Sequence, residues 1–160
     1  MTQRYSYFLA ATERNVDNEA MDRLKENGGI VMVTFMPELV SKIDQHQTLE
    51  TVVDHMIYIG RRIGFDHVGI GSDYDGMFRS VRGLEDTSCY PQLVREMLRR
   101  GISTDDIKKI LGMNIIRVLR EVEDLDVDAD ETQSVLEDDL PYIWDDSFRK
   151  LISQTYVNAS

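Results

Sequence analysis

The sequence predicts an α/β fold in which parallel strands are joined by helices. Two short apolar runs that are rich in β-branched residues, residues 30–35 and residues 67–71, have the length of buried strands. Patterns of apolar residues at helical spacing lie before, between and after these runs. Because strands and helices alternate along the chain, we expect parallel strands connected by helical crossovers, as in an α/β layer or barrel.

The first half of the chain is predicted to form a helix, a strand and a second helix. The first helix covers residues 17–27, with Asp17 as its N-cap and a glycine pair at its end. The run Ile30–Phe35 is predicted as a strand buried on both faces, because it is short, unbroken and flanked by glycine and proline. The second helix is capped by Thr48, follows the i, i+3, i+4, i+7 spacing of an amphipathic helix, and ends at Gly64.

The second half is predicted to form one strand and two helices. The strand begins at His67, and a loop then leads to a short helix with Pro91 in its first turn and Gly101 after its last residue. A Ser-x-x-Asp capping box, Ser103 to Asp106, opens one long helix that continues through Val122. Five methionines are predicted to fill the core: Met32, Met36, Met56, Met97 and Met113.

The number of predicted strands limits the architecture. Only two segments are predicted as buried strands, whereas a parallel barrel needs eight, so the sequence predicts part of a sheet. After Leu125 acidic residues alternate with small or apolar ones, a pattern typical of a solvated tail, and a late amphipathic piece follows between Tyr142 and Ile152. Residues 1–123 are therefore interpreted as the folded body and residues 124–160 as an acidic extension.

Composition excludes several classes of protein. The chain has 160 residues, 42% of them hydrophobic, which is typical of a globular domain. A net charge of -11 argues against nucleic-acid binding, because a phosphate backbone requires a basic surface. The single cysteine, Cys89, excludes an intramolecular disulfide. Neither a signal-peptide pattern nor a long apolar segment is evident, so the sequence predicts a cytoplasmic protein with no membrane segment.

The most informative run is the second strand and its exit, residues 67–76, His-Val-Gly-Ile-Gly-Ser-Asp-Tyr-Asp-Gly. The carboxyl ends of strands carry the functional groups of α/β proteins, so Asp73 is a candidate to ligate a metal or to hydrogen-bond a substrate amine or a catalytic water. The alternative is an ordinary turn, since Asp and Gly are turn residues. Asp75 is interpreted as a turn residue. An EF-hand is excluded, because Gly76 falls at the wrong loop position.

Other polar residues give weaker signals. The three histidines, His46, His55 and His67, form no zinc-binding pattern, so no metal ligand is assigned. Arg14 precedes the first helix without a carboxylate at i±4. It is either a surface arginine or a bidentate clamp for a carboxylate. Cys89 is interpreted as structural.

Several segments together resemble the membrane dipeptidase (renal dipeptidase) family of metallopeptidases. The resemblance covers roughly residues 12–120, in a consistent order. The segments that carry it are Arg14-Asn15-Val16, Gly29 to Phe35, His67 to Gly76, Gly83-Leu84-Glu85-Asp86, Tyr90-Pro91, Arg99-Arg100-Gly101, Asp106 to Lys109 and Asn114 to Val118.

The resemblance implies that the chain is the C-terminal portion of a (β/α)8 barrel with a two-zinc site that hydrolyses dipeptides. In such a site two bridged metals lower the pKa of a shared water, which attacks the peptide carbonyl. Arg14 would hold the C-terminal carboxylate of the substrate, and Asp73 would lie beside the metals and assist the chemistry. The zinc ligands of the family precede the matched region, and Gln3 stands where the last histidine is expected, so no zinc ligand is carried over.

Three functional hypotheses follow. In the first, the chain belongs to a zinc-dependent dipeptidase but is inactive as 160 residues, without stoichiometric binding of two zinc ions. In the second, it is a truncated, non-catalytic paralogue with an interaction or regulatory role, whose open strand edges pair with a second copy or with the missing N-terminal half. The third is another metal-dependent barrel hydrolase acting on amides or phosphoesters, which Arg14 and the segment Gly83 to Asp86 disfavour.

Overall fold

The computed structural model describes residues 15–124. It contains six α-helices in that range: α1 (Asn18–Glu26), α2 (Pro37–Val40), α3 (Leu49–Ile63), α4 (Tyr90–Arg99), α5 (Thr104–Lys108) and α6 (Asn114–Glu123). The same range contains two strands, β1 (Val31–Val33) and β2 (Val68–Ile70). The predicted acidic extension, with its amphipathic piece, lies outside the described residues, so the predicted boundary between residues 123 and 124 stays a prediction.

The two strands form a parallel pair, which confirms the predicted α/β class. Val31 pairs with Val68, Met32 with Gly69, and Val33 with Ile70. The contact continues past the strand ends, since the Gly71 N–H donates to the Val33 carbonyl at 3.0 Å. Helix α3 provides the crossover between the strands, as expected for parallel neighbours.

The strand β1 is shorter than predicted, and it is not buried on both faces. Val33 faces the core, whereas Met32 is 41% exposed on the opposite face. There the Met32 side chain lies against Gly69 and Gly71. A Cβ added to Gly69 would lie 2.6 Å from the Met32 sulfur, and a Cβ added to Gly71 would lie 2.8 Å from the Met32 Cβ. Gly69 in β2 and Gly71 directly after it therefore leave room for a side chain that the sequence pattern assigned to the core.

The core lies between the strand pair and the helices, with α3 at its centre. Val52, Val53 and Met56 of α3 have no exposed surface. They belong to one cluster with residues from the strands and from the later helices, among them Phe35, Val68, Leu93, Met97 and Ile107. The prediction of core methionines holds for Met56 and Met97, but it is wrong for Met32 and for Met113, which is 53% exposed.

The helix ends follow the predicted signals in most places. The Asp17 side chain accepts a hydrogen bond from the Ala20 N–H, as an N-cap does. Gly64 ends α3 with φ 104°, a conformation that favours glycine. Thr48 occupies the predicted cap position, but its side chain makes no capping hydrogen bond. The Leu49 N–H instead donates to the Arg82 carbonyl at 2.9 Å, so a distant loop satisfies the helix end.

The predicted long helix after Ser103 is wrong as a single element. The Ser103 hydroxyl accepts from the Asp106 N–H, as the capping pattern indicates. The helix then passes into a π-helical segment, Lys109–Met113, and turns at Gly112 (φ 171°, ψ -22°) before α6 begins. At the start of α6, the buried Asn114 amide donates to carbonyls beside β2, which fixes the direction of the second piece.

No helix within residues 15–124 has the length and apolar character needed to cross a lipid bilayer.

Candidate active-site edge

The candidate site begins where the strand pair ends. The Phe35 N–H donates to the Ser72 carbonyl at 3.2 Å, so the β2 segment stays attached to the β1 segment as far as residue 72. Asp73 is the next residue and lies at the carboxyl end of the pair, as the sequence predicted. Functional groups of α/β proteins are placed at this end because loops there are free to vary while the strands hold them in position.

Asp73 adopts an uncommon backbone conformation. Its φ of 67° and ψ of 28° are left-handed, and no other residue between 15 and 124 except glycine has a positive φ. This conformation costs about 1 kcal/mol for a residue with a Cβ, and Asp is among the types that tolerate it best. Asp73 precedes the 3₁₀ turn Tyr74–Gly76, yet its side chain makes no capping hydrogen bond. The exposed carboxylate is therefore available to a ligand.

The second carboxylate of the motif has a different position. Asp75 lies inside the turn Tyr74–Gly76 and is exposed. Its location agrees with the interpretation of a turn residue.

An aromatic cluster holds the turn against the strand pair. The Tyr74 ring packs edge-on against Phe35, with centroids 5.7 Å apart, and stacks on Tyr90 at 6.4 Å. Burial, together with the neighbouring Tyr90, Cys89 and acidic groups, raises the pKa of Tyr74 to about 12. The Tyr74 hydroxyl is buried and has no hydrogen-bond partner among the described residues. Tyr74 thus connects the ends of both strands with the first turn of α4.

Residues 73–80 form a loop whose two flanking residues, Ser72 and Val81, are both hydrogen-bonded to the Phe35 backbone. The Ser72 carbonyl accepts from the Phe35 N–H, and the Val81 N–H donates to the Phe35 carbonyl at 3.1 Å. Arg79 fixes the middle by donating to Glu38 and to the Gln47 side-chain oxygen, both at 3.1 Å. Phe78 beside it is 99% exposed. Sequence reasoning missed Arg79, because its partners lie more than thirty residues earlier in the chain.

The segment Gly83-Leu84-Glu85-Asp86, part of the predicted resemblance, has structural contacts. The Glu85 side chain accepts from the Gly83 N–H at 2.8 Å, which lowers the pKa of Glu85. Asp86 caps the following turn through the Ser88 N–H at 2.7 Å. Leu84 is fully buried. The Sγ atom of the half-buried Cys89 lies 3.6 Å from the Glu85 Oε2 atom, and the structural role predicted for Cys89 stays a prediction.

Arg14, the predicted substrate-binding residue, lies outside the described residues. The next residue, Asn15, donates from its side chain to the Leu39 carbonyl at 3.3 Å. Asn15 and Leu39 line a cleft of about 130 Å³ that also includes Thr34, directly after β1, and His55. The described chain therefore starts beside the carboxyl end of β1, one residue after Arg14.

Two of the three histidines, His55 and His67, contact backbone carbonyls. His55 lies with its Nε2 atom 2.9 Å from the Val40 carbonyl, and burial lowers its pKa. His67 contacts the Gly29 carbonyl at 2.7 Å, at the amino end of the strand pair. Residues 15–124 contain no group of three or more His, Cys, Asp or Glu side chains able to hold a metal ion. A catalytic zinc needs about three protein ligands, so the described residues do not fit a zinc centre.

Comparison with solved structures defines the class of protein. The chain resembles a metallopeptidase from Rhodobacter sphaeroides solved with a phosphinate mimic of the dipeptide L-Ala-D-Ala, with a TM-score of 0.64 and 25% identity. That match covers 71% of this chain and 33% of the solved one. The probable dipeptidase PvdM from Pseudomonas aeruginosa has the same fold, with a TM-score of 0.64 over 75% of this chain and 44% of its own, at 21% identity. The fold is that of the dipeptidase-type metallopeptidases.

Residues 2–133 match the family described as membrane dipeptidase (peptidase family M19), and the chain belongs to this family. The resemblance inferred from the sequence is therefore confirmed. Dipeptidase tcpJ of Claviceps purpurea is 51% identical over 154 residues, which are 96% of this chain and 36% of the relative. Dipeptidase ataJ of Aspergillus terreus is 44% identical over 91% of this chain, again 36% of the relative. The chain thus spans about a third of the length of the relatives it matches.

Proposed function

We propose that this chain forms one side of the active site of a zinc-dependent dipeptidase. Asp73 carries the proposal, since its carboxylate lies at the carboxyl end of the strand pair, in a left-handed conformation and without a capping hydrogen bond. Family membership supports peptide hydrolysis as the chemistry. In this proposal the chain is the C-terminal portion of a (β/α)8 barrel, of which β1 and β2 are neighbouring strands.

The proposed roles follow from the chemistry of a dipeptide, which has a free carboxylate at one end and a free amine at the other. Arg14 binds the carboxylate, because a guanidinium presents two parallel N–H donors to its two oxygens. Asp73 accepts hydrogen bonds from the substrate amine or from groups around the scissile bond. Both roles orient the substrate, and correct orientation of the reacting groups contributes strongly to the rate of an enzymatic reaction.

The proposal assigns no zinc ligand to this chain. Residues 15–124 contain no cluster of three or more His, Cys, Asp or Glu side chains that could hold the metal. We therefore propose that the 160 residues alone neither hydrolyse dipeptides nor bind two zinc ions per chain.

Dipeptide hydrolysis by the purified 160-residue chain, with and without added zinc, tests this part, together with zinc content by mass spectrometry. Absence of turnover and less than one zinc per chain are expected. Zinc-dependent turnover would show the proposal of inactivity to be wrong.

The substrate-binding roles are tested separately by following amide resonances while the phosphinate mimic of L-Ala-D-Ala is added to the chain. Weak, saturable shifts are expected around Asp73, and both Asp73→Asn and Arg14→Gln should reduce the affinity at least about tenfold, as loss of a charge-assisted contact does. Asp75→Asn is the matched control, because it removes a carboxylate two positions away in the same turn. Equal effects at Asp73 and Asp75 would contradict the assigned roles.

A non-catalytic interaction protein is the second candidate, and the exposed apolar surface supports it. The last helical region exposes apolar residues at helical spacing, Leu111, Ile115, Leu119 and Val122, and β1 exposes Met32. Such a surface favours association with a second copy or with the N-terminal half of a dipeptidase. Light scattering coupled to size-exclusion chromatography tests this candidate. A defined dimer, or a stable complex with the N-terminal half of a relative, would support it, and a monomer that binds neither would contradict it.

A further inference from the structure

The carboxylate of Asp73 occupies space that a side chain at residue 76 would need. A Cβ placed on Gly76 would overlap the Asp73 Oδ1 atom and lie 3.1 Å from its Cγ and 3.5 Å from Oδ2. The carboxylate therefore folds back over the turn and rests on the bare Cα of Gly76.

The backbone at Gly76 does not itself require glycine. Four glycines between residues 15 and 124 have a φ between 76° and 104°, a range that disfavours other residue types, and Gly76 is not among them. An alanine would fit the local backbone, and its methyl group would meet only the Asp73 side chain at close range. Glycine at residue 76 thus provides space for the Asp73 carboxylate.

The rest of the turn leaves Asp73 little freedom apart from its side-chain torsions. Its φ of 67° is fixed by the turn, and the Gly76 N–H donates to the Asp73 carbonyl at 3.0 Å. Tyr74, the residue in between, is locked by its contacts with Phe35 and Tyr90. Which χ1 well the carboxylate adopts therefore decides where it lies at the edge of the strand pair.

We propose that Gly76 is a positioning residue for Asp73: by lacking a side chain, it leaves the space that the folded-back rotamer of the carboxylate occupies, and a side chain at residue 76 would exclude that rotamer. The functional value of this rotamer rests on the role proposed for Asp73 above. The geometric part of the inference stands on the turn alone.

The test is Gly76→Ala in the 160-residue chain, with Gly112→Ala as the matched control. Gly112 has an extended φ of 171°, and a Cβ there meets nothing within 4 Å. Three-bond couplings from the Asp73 carboxyl carbon to the backbone nitrogen and carbonyl report its χ1 population. Gly76→Ala is expected to move Asp73 out of the wild-type well, whereas Gly112→Ala leaves its couplings unchanged.

Thermal unfolding separates positioning from a structural role. The Asp73 carboxylate is exposed and flexible, so it can rotate away from an alanine, and the unfolding midpoint of Gly76→Ala should stay within about 2 °C of wild type. Unchanged couplings in Gly76→Ala would overturn the inference. So would a fall of more than about 8 °C in the midpoint, because Gly76 would then support the fold itself.

Binding of the phosphinate mimic links this inference to the proposed function. Gly76→Ala should weaken binding about as much as Asp73→Asn, and the double variant should bind no more weakly than either single variant. Additive losses would contradict positioning through Asp73. A wild-type chain that does not bind the mimic would refute the proposed function, and the couplings would then decide the geometric inference by themselves.

Discussion

Substitution of Asn114 by alanine is expected to destabilise the fold more than its position on a solvent-facing helix indicates. Asn114 is 3% exposed, and its side-chain amide donates to the Phe65 carbonyl at 2.7 Å and to the Val68 carbonyl at 2.8 Å. Both carbonyls lie where the chain enters β2. One side chain therefore connects the start of α6 with the strand that leads to Asp73.

The expected loss of stability in Asn114→Ala is estimated from the two carbonyls that lose their hydrogen-bond donor. A buried acceptor left without a partner costs about 1–3 kcal/mol, and the cost falls towards the lower end where water can enter. Val68 is fully buried, whereas Phe65 is only half-buried. We expect a loss of about 3 kcal/mol in the free energy of unfolding, a large part of the 5–15 kcal/mol typical of a domain.

Urea denaturation followed by circular dichroism measures this loss. Glu123→Ala is the control on the same helix, since Glu123 is exposed and should change stability by less than about 0.5 kcal/mol. Asn114→Asp keeps the shape but replaces the donor with a carboxylate that faces two carbonyls, so at neutral pH it should be at least as damaging as alanine. A loss below about 1 kcal/mol for Asn114→Ala would refute the reasoning, because the two hydrogen bonds would then be replaceable by water.

Two further predictions concern buried polar groups. Tyr74→Phe removes a buried hydroxyl that has no hydrogen-bond partner within residues 15–124. Urea denaturation should therefore show unchanged stability or an increase of up to about 1 kcal/mol, and a clear loss would mean that the hydroxyl is hydrogen-bonded. Burial lowers the pKa of His55 in the folded state below the ordinary value of 6.5. Protons therefore bind His55 more tightly in the unfolded chain, and the stability that neutral His55 contributes is lost as the pH falls below 6.5. Unfolding midpoints between pH 7.5 and 5 should fall less steeply in His55→Gln than in wild type, and parallel curves would contradict this.

Local signals in the sequence were sufficient for several helix ends and for the class of fold, but not for the short helix Pro37–Val40 or for the break after Lys108. Asp17 and the glycine at residue 64 act within one turn of the helix ends they define, so their effect is visible in the neighbouring residues. The parallel arrangement followed from the alternation of strands and helices. The same alternation indicated that residue 73 would leave the sheet at its carboxyl end, where the structure places it.

Features that depend on distant residues were not predictable in this way. The apolar run predicts a core position for Met32, but its side chain lies 41% exposed against Gly69 and Gly71. The predicted long helix divides at Gly112, and directly after the break Asn114 is bound to carbonyls that lie 46 and 49 residues earlier. Neither partner can be recognised from the local pattern, since each requires knowledge of which segments pack together.

The two carboxylates of the strand exit show how the same residue type acquires different roles within three positions. Asp75 lies within the turn, where its side chain projects from an ordinary helical backbone into solvent. Asp73 carries the unfavourable left-handed conformation, and the glycine three residues later leaves space for its carboxylate. A turn alone needs neither feature, because glycine at residue 73 would adopt that φ at lower cost. An aspartate at this strained position supplies a carboxylate that the turn itself does not need, which is why Asp73 rather than Asp75 is given the substrate-binding role proposed above.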